Sequence, residues 1–299
     1  MRPTNPFIQA ASAGRNDLWR YLVTIIGSSA LLLLVAGIVS LAAFLAAHAL
    51  PRQYPGAPAI LPPAGVLAAT LVPYAGLILG LALGLRSLHQ RSPRTLVRPQ
   101  GRFHWGWLAL SGGLWLVLSA LGDGVMSLIF PGSYRAAFAP ERFWPYAVVA
   151  VLLLPVQVAA EELWFRGYLT QGVGLAGGEI LGWIGPAVLF GLLHGFNPEV
   201  TAYGALFTLP VYIAMGLLLG WVTLRSAGLE MALGLHLANN LYATLLVSAP
   251  VSALPGPSLF SMDQYHPVAA LAINFAGMAI YALVAGYFWL RRGRGEAPG

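Results

Sequence analysis

Lysine and cysteine are both absent from this sequence, and charged residues of any kind are scarce. Only 9% of the 299 residues are charged, against roughly 25% in ordinary soluble domains. The lack of cysteine excludes disulfides, thiolate metal ligands and a cysteine nucleophile. The net charge of +6 is therefore carried by arginine, and in so apolar a chain we interpret it as a membrane-orientation signal, with no nucleic-acid partner.

Long apolar runs take the place of charge: 58% of the residues are hydrophobic and the mean hydropathy is +0.73. Because these runs recur along the whole chain, they predict an all-α, multi-pass helical bundle that contacts lipid in the cell membrane. The first run is longer than the roughly 7–15 apolar residues of a signal peptide, so we interpret it as a retained span. The sequence predicts about eight spans, near residues 21–48, 60–85, 105–129, 145–170, 180–194, 202–224, 228–249 and 267–290.

The arginines predict how the bundle is oriented. An even number of spans places both termini on one side of the membrane. With the N-terminus in the cytoplasm, twelve arginines fall inside, many of them in the loop 86–102 and in the C-terminal tail, and only Arg52, Arg135 and Arg142 fall outside. This asymmetry follows the positive-inside rule, so both termini are predicted to be cytoplasmic.

The fifth apolar segment is unusually short. It runs from Glu179 to His194 and then meets the sequence GFNP, so we expect it to end within the membrane. Non-helical backbone at that depth must be buried in protein or line a wet cavity. The break after His194 therefore indicates a site.

Two carboxylates and an arginine continue the fourth apolar run in the sequence EELWFR. Each charge at a helix centre costs about 2.5–3.5 kcal/mol on insertion scales, so the group needs partners or an interfacial position. Glu162 and Arg166 are four residues apart and can pair on one helix face, whereas Glu161 is rotated by about 100° and stays freer. One interpretation is that this cluster simply marks the cytoplasmic end of the fourth span.

Polar residues in two other apolar segments favour a functional interpretation. His194 follows FGLL, and His236 and Asn240 lie four residues apart in HLANN. Taken singly, each fits a helix-end or helix-packing residue. Each of these polar side chains would cost free energy if it faced lipid. We therefore expect them to converge with Glu161 inside the bundle. A carboxylate beside an imidazole can deprotonate water, and a His with an Asn can donate hydrogen bonds to an oxyanion, as amide hydrolysis requires.

The three motifs, EELWFR, FGLLH and HLANN, fit E-E-x-x-x-R, F-x-x-x-H and H-x-x-x-N in that order. In this respect the chain resembles the CPBP intramembrane proteases, also called the Abi or CAAX prenyl protease type 2 family. The resemblance implies a catalytic core at 145–250, preceded by three spans and a basic cytoplasmic loop in 1–144. A C-terminal span and a basic tail would occupy 251–299.

The resemblance also implies roles for the motif residues. Glu161 would be the general base that activates water, His194 would hold the same water, and Glu162 and Arg166 would orient the site. The implied substrate is a membrane-associated protein or peptide, with CAAX processing, peptide maturation and bacteriocin immunity all represented in the family.

His236 and Asn240 would form the oxyanion hole in that scheme. The family is described both as metal-dependent and as a metal-independent glutamate protease. In the metal-dependent case Glu161, His194 and His236 would be the ligands of a zinc ion with an open position for water. The sequence leaves both possibilities open.

Two alternatives to a protease remain at this point. The same buried ionisable groups could serve a proton or ion transporter, or the motifs could be structural in a non-catalytic scaffold or immunity protein. Helix lengths also pose a difficulty. Glu161 would lie about 12–15 Å from the cytoplasmic end of its span and His194 about 20 Å from that end, so the two would be misaligned in depth.

Overall fold

The apolar runs form helices throughout the computed structural model, which describes residues 5–49 and 61–289. The all-α prediction is confirmed. The helices before the first motif are α1 (Pro6–Gln9), α2 (Leu18–Ala49), α3 (Pro63–Leu71), α4 (Tyr74–Ser87), α5 (Arg94–Val97) and α6 (Trp105–Ile129). Those that follow are α7 (Pro140–Glu162), α8 (Thr170–Gly177), α9 (Glu179–Leu193), α10 (Pro198–Tyr203), α11 (Ala205–Ser226), α12 (Glu230–Leu241) and α13 (Pro267–Val284).

Tighter and wider helical turns connect several of these elements. The π-helical segments are Leu163–Leu169, Tyr242–Leu246 and Ala285–Trp289, and the 3₁₀ segments are Ala10–Ala13 and His194–Phe196. The first π-helix joins α7 to α8 without interruption, so the fourth span extends from Pro140 to Gly177. It stops at Gly178, whose φ of +89° lies in a region that only glycine adopts readily.

Seven helical stretches of the described chain are long and apolar enough to cross a membrane. The segment predicted as the seventh span, 228–249, is shorter: α12 and its π-helical extension end at Leu246, where strand β2 begins. At its start, Glu230 is buried and pairs with Arg98 at 3.3 Å. Most of α12 is enclosed by protein, as is typical of a short core helix. Which side of the membrane each terminus occupies stays a prediction, and Arg2, Arg52 and the arginines of the C-terminal tail lie outside the described residues.

The connections from α6 to α7 and from α12 to α13 together form a small sheet. Its strands are β1 (Tyr134–Ala136), β2 (Val247–Ser248) and β3 (Phe260–Met262), in the order β1-β3-β2. β1 pairs antiparallel with β3, placing Arg135 opposite Ser261, and β2 pairs parallel with β3. The sheet anchors the connection 249–259, and Ser252, Ala253 and Leu254 of that connection line a cavity among the central helices.

Glycines allow the central helices to approach closely. α12 packs against α6, α7 and α11. At the crossing of α6 and α12, a Cβ on Gly112 would lie 2.9 Å from the carbonyl oxygen of Gly234, and one on Gly234 would lie 2.1 Å from that of Leu108. Close packing of small residues is a main source of helix association in lipid. This contact therefore holds the helix that carries His236 and Asn240.

Replacing Gly112 with alanine should lower the free energy of unfolding by about 1–3 kcal/mol, because the new methyl group pushes against backbone that cannot rotate away. Gly113→Ala is the matched control, since a Cβ at the exposed Gly113 meets nothing within 4 Å. Thermal unfolding of the purified protein in detergent measures both. Equal melting temperatures for the two variants would contradict the proposed helix contact.

Candidate active site

The polar motif residues lie on three elements that meet inside the bundle. Glu161 and Glu162 end α7, and Arg166 lies in the π-helix that follows. His194 lies directly after α9, and α12 carries the motif residues His236 and Asn240. Four of these motif residues, Glu161, His194, His236 and Asn240, lie in the lining of one cavity of about 430 Å³.

The extended fourth helix accounts for the common depth of Glu161 and His194. Glu161 lies 16 residues before Gly177, and His194 lies 15 residues after Glu179, which starts the returning helix. At roughly 1.5 Å per residue these two arms measure about 24 and 22 Å. The expected misalignment was wrong because it took the fourth span to end near residue 170.

Glu162 and Arg166 form the predicted pair, but they do so behind the cavity wall. Arg166 Nη1 donates to Glu162 Oε1 at 2.9 Å, and both side chains are almost completely buried. The guanidinium also lies over the ring of Phe190, 4.1 Å from its centroid. The aromatic face and the carboxylate both compensate the buried cation, although Arg166 Nη2 and Glu162 Oε2 have no hydrogen-bond partner among the described residues.

The same carboxylate oxygen orients His236. His236 Nδ1 donates to Glu162 Oε1 at 2.7 Å, which directs Nε2 away from Glu162. Nε2 lies 3.6 Å from Glu161 Oε2, too far for a direct hydrogen bond. Glu162 therefore links the arginine of one helix to the imidazole of another.

Glu161 has an oxygen without a partner. Its Oε2 is buried and accepts no hydrogen bond from any described residue. Tyr74 lines the same cavity and interacts electrostatically with this carboxylate and with Gln157. A buried carboxylate oxygen left unsatisfied costs free energy unless water or a ligand reaches it. Since Glu161 lines the cavity, that oxygen is available to whatever occupies the cavity.

His194 is oriented by a hydrogen bond from Nδ1, which leaves its Nε2 atom free. Nδ1 donates to the carbonyl oxygen of Phe190 at 2.7 Å, one turn earlier. The ring centroid lies 4.2 Å from that of Phe190 and 4.6 Å from that of Tyr212. The helix cannot continue past this point because Asn197 precedes Pro198 and adopts an extended conformation. The expected end of the fifth segment at His194 is confirmed.

Asn240 belongs to a chain of amides on the cavity wall. Its Nδ2 donates to Gln157 Oε1 at 3.0 Å, and its Oδ1 accepts from Asn239 Nδ2 at 3.2 Å. Asn239 in turn accepts from the indole of Trp115 at 3.1 Å. An amide nitrogen carries two hydrogens, so Asn240 keeps one N–H beyond its bond to Gln157.

Sequence reasoning missed several polar residues that line the cavity. They are Tyr74, Gln157, Asn197, Glu199, Tyr212 and Asn239. Gln157 could have been found, because it precedes Glu161 by four residues on the same helix face. Asn197 and Glu199 lie at the GFNP break, where irregular backbone already indicated a site. Nothing in the sequence around Tyr74 or Tyr212 distinguishes them from interfacial aromatics.

The three residues suggested as zinc ligands do not fit a metal centre here. Across residues 5–49 and 61–289, no three His, Asp or Glu side chains are placed to hold a metal ion. The Nδ1 atoms of His194 and His236 are engaged in hydrogen bonds, which leaves only their Nε2 atoms as potential ligands. The chemistry proposed below therefore uses no metal.

Comparisons with known proteins agree with the motifs. Residues 141–242 match the family of type II CAAX prenyl endopeptidases described as Rce1-like. The chain is 30% identical over 211 residues to the uncharacterized protein YyaK of Bacillus subtilis strain 168, covering 68% of this chain and 70% of the relative. No solved structure was found to match. The matched region contains all six motif residues.

Removing the guanidinium of Arg166 should destabilise the protein strongly. Arg166→Gln leaves the fully buried Glu162 without its cation, and breaking a buried pair on one side costs roughly 3–5 kcal/mol. The matched control is Arg135→Gln, which breaks an exposed pair with Asp263 and should cost no more than about 1 kcal/mol. Thermal unfolding in detergent compares the two; a similar small loss in both variants would contradict this account.

Proposed function

Because the chain belongs to the CPBP family of intramembrane proteases, we propose that it hydrolyses a peptide bond of a membrane-associated protein or peptide. The observation that supports this most directly is the buried, unpartnered Oε2 of Glu161 at a cavity shared with two histidines and an asparagine. A carboxylate oxygen in that position is suited to bind and deprotonate a water molecule. The cavity lies among membrane-spanning helices, a position that suits a membrane-associated substrate.

In the proposed mechanism, Glu161 is the general base. A water held between Glu161 Oε2 and the free Nε2 of His194 gives its proton to the carboxylate as its oxygen attacks the scissile carbonyl carbon. The carbonyl oxygen becomes an oxyanion. When the C–N bond breaks, the proton on Glu161 passes to the leaving amine, so the carboxylate returns to its starting state.

His236 and Asn240 are the proposed oxyanion donors. The hydrogen bond from His236 Nδ1 to Glu162 directs Nε2 toward the cavity. With a proton on both ring nitrogens, His236 would also donate a hydrogen bond from Nε2 to the oxyanion. Asn240 would contribute the N–H that Gln157 does not use. Glu162 and Arg166 do not line the cavity, so we assign them a positioning role.

Glu161→Gln should abolish proteolysis while leaving folding intact, because the amide is nearly isosteric with the carboxylate but cannot accept the proton of water. Loss of a general base typically lowers kcat by 10²–10⁴-fold or more. Cleavage of membrane-associated model substrates in proteoliposomes measures the effect, with the melting temperature as a check on folding.

The matched control is Glu141→Gln, because Glu141 is exposed at the start of the same helix and lies outside the cavity. Full activity in both variants would refute the role of Glu161. If ion or proton flux depended on Glu161 and no cleavage occurred, the transporter hypothesis would replace the protease.

Chelation separates the two mechanisms that the family resemblance leaves open. We expect proteolysis to continue after dialysis against a strong chelator, because every proposed step uses side chains and water only. The measurements are the cleavage rate and the metal content before and after dialysis. Activity that disappears on chelation and returns with zinc, together with metal lost from His194→Ala, would decide for the metal-dependent mechanism.

A further inference from the structure

The cavity contains a second carboxylate, which the proposed hydrolysis does not use. Glu199 lies in the first turn of α10, five residues after His194. Its Oε1 accepts hydrogen bonds from the hydroxyl of Tyr212 and from Asn197 Nδ2, the latter at 3.3 Å. Its Oε2 is buried and has no hydrogen-bond partner within the described parts of the chain. One oxygen is thus held in place and the other is free.

Glu199 has no ion-pair partner among the described residues, in contrast to the buried carboxylates of Glu162 and Glu230. Glu162 pairs with Arg166 at 2.9 Å, and Glu230 pairs with Arg98 at 3.3 Å. No arginine or histidine of residues 5–49 or 61–289 forms an ion pair with Glu199. An ionised carboxylate in such surroundings is costly unless a cation reaches it. Since Glu199 lines the cavity, the cation can come from a ligand.

Glu199 also lies close to the catalytic histidine. Tyr212, which donates to Glu199, places its ring 4.6 Å from that of His194. The five residues that separate Glu199 from His194 could span at most about 17 Å even if fully extended. A substrate in extended conformation advances by a similar length per residue. A group bound at Glu199 would therefore lie within about five residues of the bond to be cleaved.

We propose that Glu199 forms a subsite for a cationic side chain, lysine or arginine, of the substrate peptide. Tyr212 and Asn197 hold Oε1, so Oε2 accepts from the ammonium or guanidinium group. The long apolar stems of these side chains suit an entry from lipid. This inference rests on the proposed function, because it takes the cavity to be the one in which the peptide bond is cleaved.

Peptide binding tests the subsite without relying on turnover. The full-length protein carrying Glu161→Gln is placed in nanodiscs and titrated with fluorescent apolar peptides that carry one arginine at successive positions. A second set carries citrulline, which has the same shape without the charge, at the same positions. We expect arginine at one position, or two adjacent positions, to tighten binding by at least about tenfold over citrulline. Adding Glu199→Gln should remove that preference, whereas adding Glu141→Gln should leave it unchanged.

Equal affinities for arginine and citrulline peptides, with Glu199 in place, would overturn the subsite even if the Glu199→Gln protein could not be prepared. A preference that survives Glu199→Gln would also overturn it. Cleavage assays with Glu161 restored distinguish this failure from failure of the protease itself. Cleavage without any charge preference keeps the proposed function and refutes the subsite, whereas charge-selective binding without cleavage keeps the subsite and refutes the protease.

Discussion

The buried carboxylate of Glu162 is the contact on which the candidate site depends. One oxygen accepts from Arg166 and from His236 and so joins two segments far apart in sequence. Charge placed so deep is tolerated because the arginine neutralises it and stacks on Phe190. Glu162 is bound through Oε1 and does not line the cavity, whereas the unengaged Oε2 of the adjacent Glu161 belongs to a residue that does. The two neighbouring acids thus differ both in their partners and in their access to the cavity.

Hydropathy and residue spacing predict much of this arrangement. Apolar run length is a strong signal for membrane helices, and spacing of four residues correctly pairs Glu162 with Arg166. The prediction for 228–249 was less accurate, because the apolar sequence after Leu246 reads like more helix although it forms a strand. Hydropathy measures preference for lipid and does not distinguish a lipid-facing helix from one enclosed by protein.

The site itself was only partly predictable, for reasons of geometry. The sequence indicates that Glu161, His194, His236 and Asn240 avoid lipid, but their common depth depends on a helix that continues to Gly177 through a π-helical segment. Backbone of that kind has no clear sequence signal. Tyr74 and Tyr212 reach the cavity through tertiary packing, which a local pattern cannot report. The catalytic roles of Glu161, His194, His236 and Asn240 stay predictions, and so does the division of the chain into domains.

If the cavity is the proposed active site, its size limits which proteins can be cut. At about 430 Å³ it matches a site for a small ligand, whereas an intact α-helix is 10–12 Å across with its side chains. The carbonyl groups of a substrate helix are moreover already hydrogen-bonded within that helix, so a helical substrate would first have to unwind locally. Substrate selection would then depend on the stability of the substrate helix. Segments weakened by glycine or proline, or frayed at a helix end, would be cut, and stable helices in the same bilayer would not.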